Sequence, residues 1–380
     1  MEHRDPKHYH TGFDDRLVPL EPLDISKTSD FDEMLQAMSK TAFGGRKTGE
    51  AVETLVKMVT DPDTFVVMSS SGAMTPAKMG PLFCEMMERG FVHAVVSTGA
   101  LMTHGFVESS GRTHFKYDPK MNDIELYKAG YDRIYDVLEP EKNLDEVEEI
   151  IYKVLGGLNP YITLSSRLVT KELGQWLNHN MGGRGILKSA YDYNVPVYIP
   201  AFTDSEMGLD VALYNMRRAA EGKNPFQYND FIDLYHYMEL INQQKKVGLF
   251  TIGGGVPLNW KRQVCPFREL IQSRMPEGKG PKHITGELKF SYSVRICPEP
   301  AEWGGLSGSE DNEAKSWGKL TADAQTCHVK VDATVVWPWI LKATVQRLEK
   351  MGISKVTKNF DLKAQVKKAE ELIIPYTKIC

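Results

Sequence analysis

The sequence predicts an α/β fold built on a doubly wound, mostly parallel sheet. Short apolar runs alternate with stretches of helical periodicity along most of the chain, and small or acidic residues follow several of these runs. Strands that alternate with helices form parallel sheets, whose ligands bind beyond the carboxyl ends of the strands. The composition, 42% hydrophobic and 25% charged over 380 residues, is that of a globular protein and excludes a disordered chain or a fibre.

Two strand–turn–helix units follow each other in the first part of the chain. Residues 64–68 (TFVVM) are short, apolar and rich in β-branched residues, and Pro76 opens a helical pattern that reaches Met86. Residues 93–96 (HAVV) predict a buried strand, and the small-residue turn 97–100 (STGA) follows it. Two such units in tandem predict neighbouring parallel strands.

The middle of the chain continues the alternation. A helix capped by serine is predicted over residues 165–177, and a strand over 195–202 (VPVYIPAF). Apolar residues recur at helical spacing in 231–246, which ends in lysines that favour a helix C-terminus, so we expect a helix that covers the sheet. Residues 247–252 (VGLFTI) form the most strand-like run of all.

The last elements complete the predicted sheet. Residues 289–296 (KFSYSVRI) alternate, and residues 327–331 (CHVKV) predict a final strand before a helix over 334–350. Residues 362–374 are amphipathic and predict a capping helix.

The charge, the cysteines and the hydropathy exclude several classes of protein. A formal net charge of −4 provides no basic field for nucleic acid or an anionic membrane. The five cysteines are widely separated without a CxxC pair, so neither a disulfide framework nor a zinc site is indicated. No apolar run approaches the roughly 18 residues of a membrane span, and residues 1–27 lack the apolar stretch of a signal peptide. We therefore expect a soluble protein of the reducing cytoplasm.

Polar and small residues that follow the predicted strands define a candidate ligand site. Carboxyl ends of parallel strands meet at one edge of a sheet, so these residues should converge there. They are Ser71, Thr98, Asp204, Gly254 and Asp332. The glycines at 253–255 alone are equally compatible with a nucleotide loop and a tight turn, because GxGxxG is absent.

Lys319 is a candidate nucleophile. It follows Trp317 by two residues and Glu313 by six, next to the Gly-rich segment 302–308. Burial beside a bulky aromatic disfavours an ammonium and lowers the pKa of a lysine, which makes the amine nucleophilic. On spacing alone, a surface lysine is the more common interpretation.

The segment around Lys319 resembles the C-terminal signature of the deoxyhypusine synthases. It contains SWGK at 316–319, with Glu313 before it and VDA at 331–333 after it. Other landmarks of the family occur in order: STG at 97–99, PAFTD at 200–204 and GGGV at 253–256. Three patterns are similar to the prokaryotic deoxyhypusine-synthase-like branch: GAMTPA at 72–77, GGGVPxN at 253–259 and WGGLSG at 303–308. The resemblance covers residues 64–350.

The resemblance implies a Rossmann-like sheet in a single NAD-binding catalytic domain at 41–352, with an N-terminal extension at 1–40 and a C-terminal extension at 353–380. It also implies a homotetramer whose active sites lie between paired subunits. The implied reaction is NAD-dependent transfer of the 4-aminobutyl group of spermidine, through an imine on Lys319, to an acceptor amine. The acceptor is either putrescine, giving homospermidine, or a lysine of an initiation factor 5A-like protein, giving deoxyhypusine.

The resemblance also assigns roles to individual residues, with Lys319 as the catalytic nucleophile. The residues implied to contact the polyamine are Glu313, Trp317, His104, Asn259, Asp210 and Gly304. The residues implied to contact NAD are Ser71, Gly72, Ala73, Thr98, Gly99, Asp204, Gly254, Gly255, Asp332 and Ala333. Aspartates at strand ends accept hydrogen bonds from ribose hydroxyls, and glycines let the cofactor approach closely.

The chain departs from the eukaryotic pattern of the family in the polyamine pocket. That pattern has paired glutamates where this chain has Thr103 and His104, and a histidine where it has Asn259. It has two further acidic residues where this chain has Leu209, which precedes Asp210, and Leu306. Loss of carboxylates that pair with ammonium groups changes which amine is held, which slightly favours the diamine acceptor. The alternative is a non-catalytic NAD-binding member of the family, although the presence of Lys319 with Glu313 and Trp317 argues against it.

The histidines and cysteines do not predict a metal site. His104, His114 and either Cys327 or His328 are the candidate ligands, but they lie on different segments without the short paired spacings of common zinc sites. We expect ordinary polar or core roles for them and no metal. The three histidines within residues 3–10 are expected in a mobile terminus and are assigned no role.

Overall fold

The computed structural model describes residues 3–377, which form strands, α-helices and short 3-10 turns. The strands are β1 (Thr64–Ser70), β2 (Ala94–Ser97), β3 (Phe115–Lys116), β4 (Tyr131–Ile134), β5 (Val137–Pro140), β6 (Thr163–Leu164), β7 (Val197–Tyr198), β8 (Gln227–Tyr228), β9 (Lys246–Ile252), β10 (Phe290–Ile296) and β11 (Leu320–Val329).

The α-helices lie between and around these strands. They are α1 (Phe31–Ser39), α2 (Phe43–Thr60), α3 (Gly80–Glu88), α4 (Gly99–Ser109), α5 (Asp123–Ala129), α6 (Glu141–Gly156), α7 (Ser166–Asn180), α8 (Ile186–Asp192), α9 (Glu206–Ala220), α10 (Phe231–Asn242), α11 (Gly255–Arg262), α12 (Val264–Arg274), α13 (Asp311–Ser316), α14 (Ala333–Lys350), α15 (Leu362–Leu372) and α16 (Ile374–Thr377). Among the described residues, no helix is long and apolar enough to cross a membrane.

The central sheet has six strands in the order β11-β10-β9-β1-β2-β7, and all its neighbouring strands are parallel. In the middle of the sheet, Val67 of β1 is paired with Ala94 on one side and Leu249 on the other. The six predicted strands are thus the six strands of this sheet. Two smaller sheets lie beside it, an antiparallel one in the order β3-β5-β4 and the pair β6-β8.

Helices cover both faces of the central sheet because side chains of a strand alternate between its two faces. Val66 and Met68 of β1 pack in an apolar layer that includes α2, α3 and α14. Phe65 and Val67 pack in the opposite layer, which includes α10, α12 and α15. A parallel strand buried on both faces is apolar throughout, which explains the continuous run at 64–68. The doubly wound α/β prediction is confirmed.

The last strand of the sheet is longer than predicted. β11 begins at Leu320, whereas the prediction placed its start at residue 327. Its pairing with β10 is irregular, since Leu320 faces Phe290 but Gln325 faces Tyr292. Small and polar residues fill this irregular stretch, and most of them are at least partly exposed, so the hydropathy pattern does not reveal a strand. As a consequence, Lys319 directly precedes a strand of the central sheet.

Three other predicted boundaries were wrong, each for a local reason. The strand predicted at 195–202 is reduced to β7, because the flanking prolines at 196 and 200 cannot donate to a ladder. The helix predicted from Pro76 begins at Gly80, because Lys78 has a φ of 64°, which a right-handed helix does not allow. The helix predicted over 231–246 ends at Asn242, and β9 begins at Lys246.

Close packing between α1 and α2 requires glycine at position 49. A Cβ atom on Gly49 would lie 2.3 Å from the carbonyl oxygen of Leu35. We expect Gly49→Ala to lower the free energy of unfolding, measured by urea titration, by about 1–3 kcal/mol, as overpacking does. Gly44→Ala on the same helix is the matched control, because nothing lies within 4 Å of its Cβ position. Equal stability of the two variants would contradict this packing.

Candidate active site

Lys319 lies in a small cavity formed by α11, α13, the segment 306–309 and the turn that precedes β11. Its Nζ donates a hydrogen bond to Asn259 Oδ1 over 3.0 Å and lies 5.5 Å from the centre of the Trp317 ring. The cavity has a volume of about 190 Å³, and Glu313 and Leu306 also line it. Lys319 is only 8% exposed, so the structure excludes the interpretation as a surface lysine.

The surroundings of Lys319 favour its neutral amine. Burial is the main cause that lowers its pKa, and the positive charge of Arg262 lowers it further, against the smaller opposing effects of Cys265 and Glu313. Trp317 contributes less to this burial than expected, because it is itself 62% exposed. A buried amine with a lowered pKa can act as a nucleophile near neutral pH.

Sequence reasoning missed Arg262, which lines the cavity, and its partner Asp311. Arg262 Nη2 lies 2.5 Å from Asp311 Oδ1, and both side chains are nearly or fully buried. The carboxylate of Asp311 thus balances the positive charge of the Arg262 guanidinium, which lines the cavity with Lys319. The available signal was the position of Arg262 three residues after Asn259, which places both side chains on the same side of α11.

The residues predicted at the carboxyl edge of the sheet occupy adjacent loops. The backbone N–H of Gly254 donates to Ser71 Oγ over 2.9 Å, so the loop after β1 contacts the loop after β9. Thr98 precedes α4, and a Cβ atom on Gly99 would lie 2.3 Å from Ser205 Oγ, which brings the turn after β2 against Asp204. Of the five residues predicted to converge, Ser71 and Gly254 lie in one pair of contacting loops and Thr98 and Asp204 in another, whereas Asp332 follows β11 at the edge of the sheet, two strands from β9.

This edge combines unpartnered hydroxyls, exposed small residues and helix N-termini. The hydroxyls of Ser69 and Ser70 at the end of β1 are buried and have no hydrogen-bond partner within the described residues. Gly72, Ala73 and Asp204 are exposed, and α4 and α11 begin here with backbone N–H groups that favour an anion. The chemistry of this edge is that of dinucleotide sites on parallel sheets.

Two of the expected cofactor residues also have structural roles. A Cβ atom on Gly254 would lie 2.5 Å from Ser307 Cα, so this glycine allows close approach of residues 306–309, whereas a Cβ atom on Gly255 would lie 3.8 Å from Ser307 Oγ, an ordinary contact. Asp332 caps α14, because its Oδ1 accepts a hydrogen bond from Thr334 N over 2.7 Å. The neighbouring Ala333 is the first, buried residue of α14.

The predicted polyamine residues fall into two groups within the chain. Asn259, Glu313, Trp317 and Lys319 line one cavity. His104 lies on α4, which follows β2, four strands away from β11 in the sheet. At about 4.8 Å between neighbouring strands, four strands correspond to roughly 19 Å. Gly304 is exposed, with a left-handed φ of 70°, in the turn that precedes Leu306.

The second group consists of His104 and Asp210 on the neighbouring helices α4 and α9. Met207 N of α9 donates to Thr103 Oγ1 of α4 over 3.3 Å. Burial, together with the smaller effects of the negative charges of Glu206 and Glu148, raises the pKa of Asp210 to about 7. Its Oδ2 is buried and has no partner among the described residues. The group thus contains a carboxylate without a cation.

His104 also contacts two residues that the polyamine prediction did not include. Its Nδ1 lies 3.0 Å from Glu139 Oε2 and 3.0 Å from His114 Nε2. Burial would raise the pKa of Glu139, but hydrogen bonds from His104, His114 and Asn143 outweigh it and lower the pKa to about 2. Glu139 was missed because it lies within a short strand that carries no recognised motif.

Comparisons with known proteins agree on one family. The deoxyhypusine synthase family model matches residues 33–344. The chain is 34% identical over 336 residues to "Probable deoxyhypusine synthase 1" of Methanosarcina acetivorans, which covers 88% of this chain and 97% of that protein. It is 29% identical over 321 residues to "Deoxyhypusine synthase-like protein" of Elusimicrobium minutum, which covers 84% of this chain and 81% of that protein.

The fold comparison gives the same result. A crystal structure of a candidate deoxyhypusine synthase from Entamoeba histolytica matches 90% of this chain and 100% of that chain, with a TM-score of 0.57 and 15% sequence identity. This structural likeness supports the fold alone. The family is shown by the sequence matches, which extend over most of this chain and of its relatives. The chain therefore belongs to the deoxyhypusine synthase family, a family of transferases.

Proposed function

We propose that the protein is an NAD-dependent aminobutyl transferase in which Lys319 is the nucleophile. The observation that supports this most directly is the burial of the Lys319 amine beside Arg262, which lowers its pKa, within a cavity that also contains Asn259. The Nζ of Lys319 donates to a neutral amide rather than to a carboxylate, so no hydrogen-bonded anion stabilises its ammonium form. This arrangement is that of a reactive amine.

The proposed reaction moves the 4-aminobutyl group of spermidine. NAD, when bound, accepts a hydride from the carbon beside the secondary amine of spermidine and returns it at the end, so no net oxidation occurs. The lone pair of Lys319 Nζ attacks that carbon, and 1,3-diaminopropane leaves with the displaced electron pair and a proton. The lysine then holds the aminobutyl group as an imine until an acceptor amine displaces it. Asn259 Oδ1, 3.0 Å from Nζ, orients the attacking amine.

The carboxylates of the second group support a polycationic substrate. Asp210 is buried between the charges of Glu206 and Glu148, which raise its pKa. An ammonium group of a polyamine would neutralise this excess negative charge and restore the ionised form of Asp210. Glu313, exposed at the rim of the Lys319 cavity, is available to a second ammonium group. Carboxylates in both groups favour a substrate that carries more than one ammonium group.

A site shared between two subunits accounts for the separation of the two groups. The cavity with Lys319 and the group with Asp210 lie several strands apart within one chain. We infer that Lys319 of one subunit meets Asp210 and His104 of another, within the homotetramer that the resemblance implies. The acceptor is proposed to be a small diamine, because Leu209 and Leu306 are exposed where acidic side chains would otherwise hold an amine.

Lys319→Arg tests the nucleophile. Arginine keeps the positive charge but stays protonated, so it cannot attack, and we expect the release of 1,3-diaminopropane from spermidine to fall at least about 1000-fold. Binding of NAD, followed by protein fluorescence, should be unchanged. Lys315→Arg on the adjacent α13 is the control, because its Nζ donates to the Ala322 carbonyl outside the cavity and its activity should be retained. Intact transfer by Lys319→Arg would refute the mechanism.

The pKa of Asp210 predicts how spermidine binding depends on pH. An ammonium group binds the ionised carboxylate, which is formed as the pH rises through about 7. Affinity for spermidine, measured by calorimetry in the inactive Lys319→Arg background, should therefore increase from pH 6 to pH 8. Asp210→Asn should weaken binding by about 10- to 100-fold and remove this dependence. Glu221→Gln, at the exposed end of α9, is the control, and an unchanged pH profile in Asp210→Asn would contradict the assignment.

The acceptor is identified by mass analysis after incubation with NAD and spermidine. We expect homospermidine when putrescine is added. A modified lysine on a 5A-like protein, without homospermidine, would instead assign the protein acceptor. NAD binding without turnover of any polyamine donor would overturn the transferase proposal in favour of a non-catalytic NAD-binding protein.

A further inference from the structure

His104, His114 and Glu139 form a side-chain cluster on the α4 side of the protein. His104 Nδ1 lies 3.0 Å from Glu139 Oε2 and 3.0 Å from His114 Nε2. His114 Nε2 lies 2.6 Å from the same carboxylate oxygen. The side chains of His114 and Glu139 are 0% and 1% exposed, and that of His104 is 19% exposed. Three potential ligand atoms thus meet at one nearly buried point.

Hydrogen bonds within the cluster cannot satisfy all three contacts. Each ring nitrogen either carries a proton or presents a lone pair, and an ionised carboxylate only accepts. If both nitrogens carry protons, two N–H groups face each other at 3.0 Å. If one nitrogen lacks its proton, its lone pair faces the lone pairs of Glu139 Oε2. One contact is therefore repulsive in every such arrangement, whereas a cation at the centre would make all three favourable.

Neighbouring residues form hydrogen bonds to the three side chains in the way that residues around a metal site hold its ligands. His114 Nδ1 lies 3.0 Å from Glu108 Oε1, and Asn143 Nδ2 donates to Glu139 Oε1 over 2.7 Å. A metal-bound histidine commonly donates its other ring N–H to a carboxylate, which fixes the tautomer. With its proton on Nδ1 towards Glu108, His114 presents the lone pair of Nε2 to the cluster.

We propose that His104 Nδ1, His114 Nε2 and Glu139 Oε2 bind one divalent transition metal ion, and that zinc fits best. In a tetrahedral zinc site with bonds of about 2.0–2.1 Å, neighbouring ligand atoms are roughly 3.3 Å apart. Two of the three separations here, at 3.0 Å, are about 0.3 Å shorter than this, and the third, at 2.6 Å, is about 0.7 Å shorter, so the side chains would move slightly apart around the ion. Two imidazoles and one carboxylate form a ligand set that leaves a fourth position open. Because His104 is partly exposed, a water molecule can reach the fourth coordination position.

The fold explains why sequence spacing did not reveal this site. His104 and Glu108 are four residues apart on one side of α4. β3 pairs with β5 through Phe115 and Leu138, and the next position of that register brings His114 opposite Glu139. Cys327 and His328, the other ligands considered from the sequence, lie elsewhere: Cys327 Sγ donates to Lys47 O and His328 Nε2 contacts Cys297 O.

The test measures metal binding to the full chain after treatment with a chelator. Zn²⁺ is titrated by calorimetry, and Co²⁺ serves as a spectroscopic probe of four-coordinate geometry. We expect one ion per chain and a rise in the thermal midpoint of unfolding with added Zn²⁺. All proteins carry His3→Ala, His8→Ala and His10→Ala, so that the N-terminal histidines do not contribute. No NAD or polyamine is present, so a failure of this site and a failure of the proposed transfer are separate results.

Variants assign the ion to the cluster. His104→Ala and Glu139→Gln should each lower the affinity for Zn²⁺ by about 100-fold or more, and Glu108→Gln by about 10- to 100-fold. His179→Ala, an exposed histidine at the end of α7, should have no effect. If Glu139→Gln does not fold, the partly exposed His104→Ala still provides the measurement. Absence of saturable binding at one ion per chain, or equal binding by all variants, would overturn the proposal.

Discussion

The desolvation of the Lys319 amine is the constraint on which the site depends. An ammonium group removed from water must be paired or must lose its proton, and here the charge with the largest effect on its pKa is that of the like-charged Arg262, which is paired with Asp311. The Asn259 amide accepts a hydrogen bond without providing a charge. The cavity, lined by α11, α13, the segment 306–309 and the turn before β11, therefore favours the neutral amine over the ammonium ion.

The central sheet determines where everything else lies. Its parallel strands bring the loops after β9, β1, β2 and β7 to one edge, where small residues and helix N-termini favour a dinucleotide. The same sheet separates the Lys319 cavity from the α4 and α9 residues by the width of several strands. A single chain therefore holds the parts of the proposed polyamine site without bringing them together, and the proposed homotetramer would join them between subunits.

Most of the fold, but only part of the site, could be predicted from the sequence. The apolar runs at 64–68 and 247–252 predicted buried strands because both faces of a central parallel strand are covered. The SWGK segment identified Lys319, and its burial is confirmed. The start of β11, the Arg262–Asp311 pair and the meeting of His114 with Glu139 were not predictable, because each depends on contacts between distant segments that no local pattern records. The domain limits at 41 and 352 and the roles of the NAD residues stay predictions.

The irregular register between β10 and β11 has an evolutionary consequence. β11 advances five residues, from Leu320 to Gln325, while β10 advances two, so the intervening backbone is not tied to the ladder. Insertions or deletions in this stretch would leave the regular pairing of residues 325–329 intact while changing the reach of the amine that precedes it. A change in the length of this one segment would therefore shift Lys319 relative to its cavity without repacking the core.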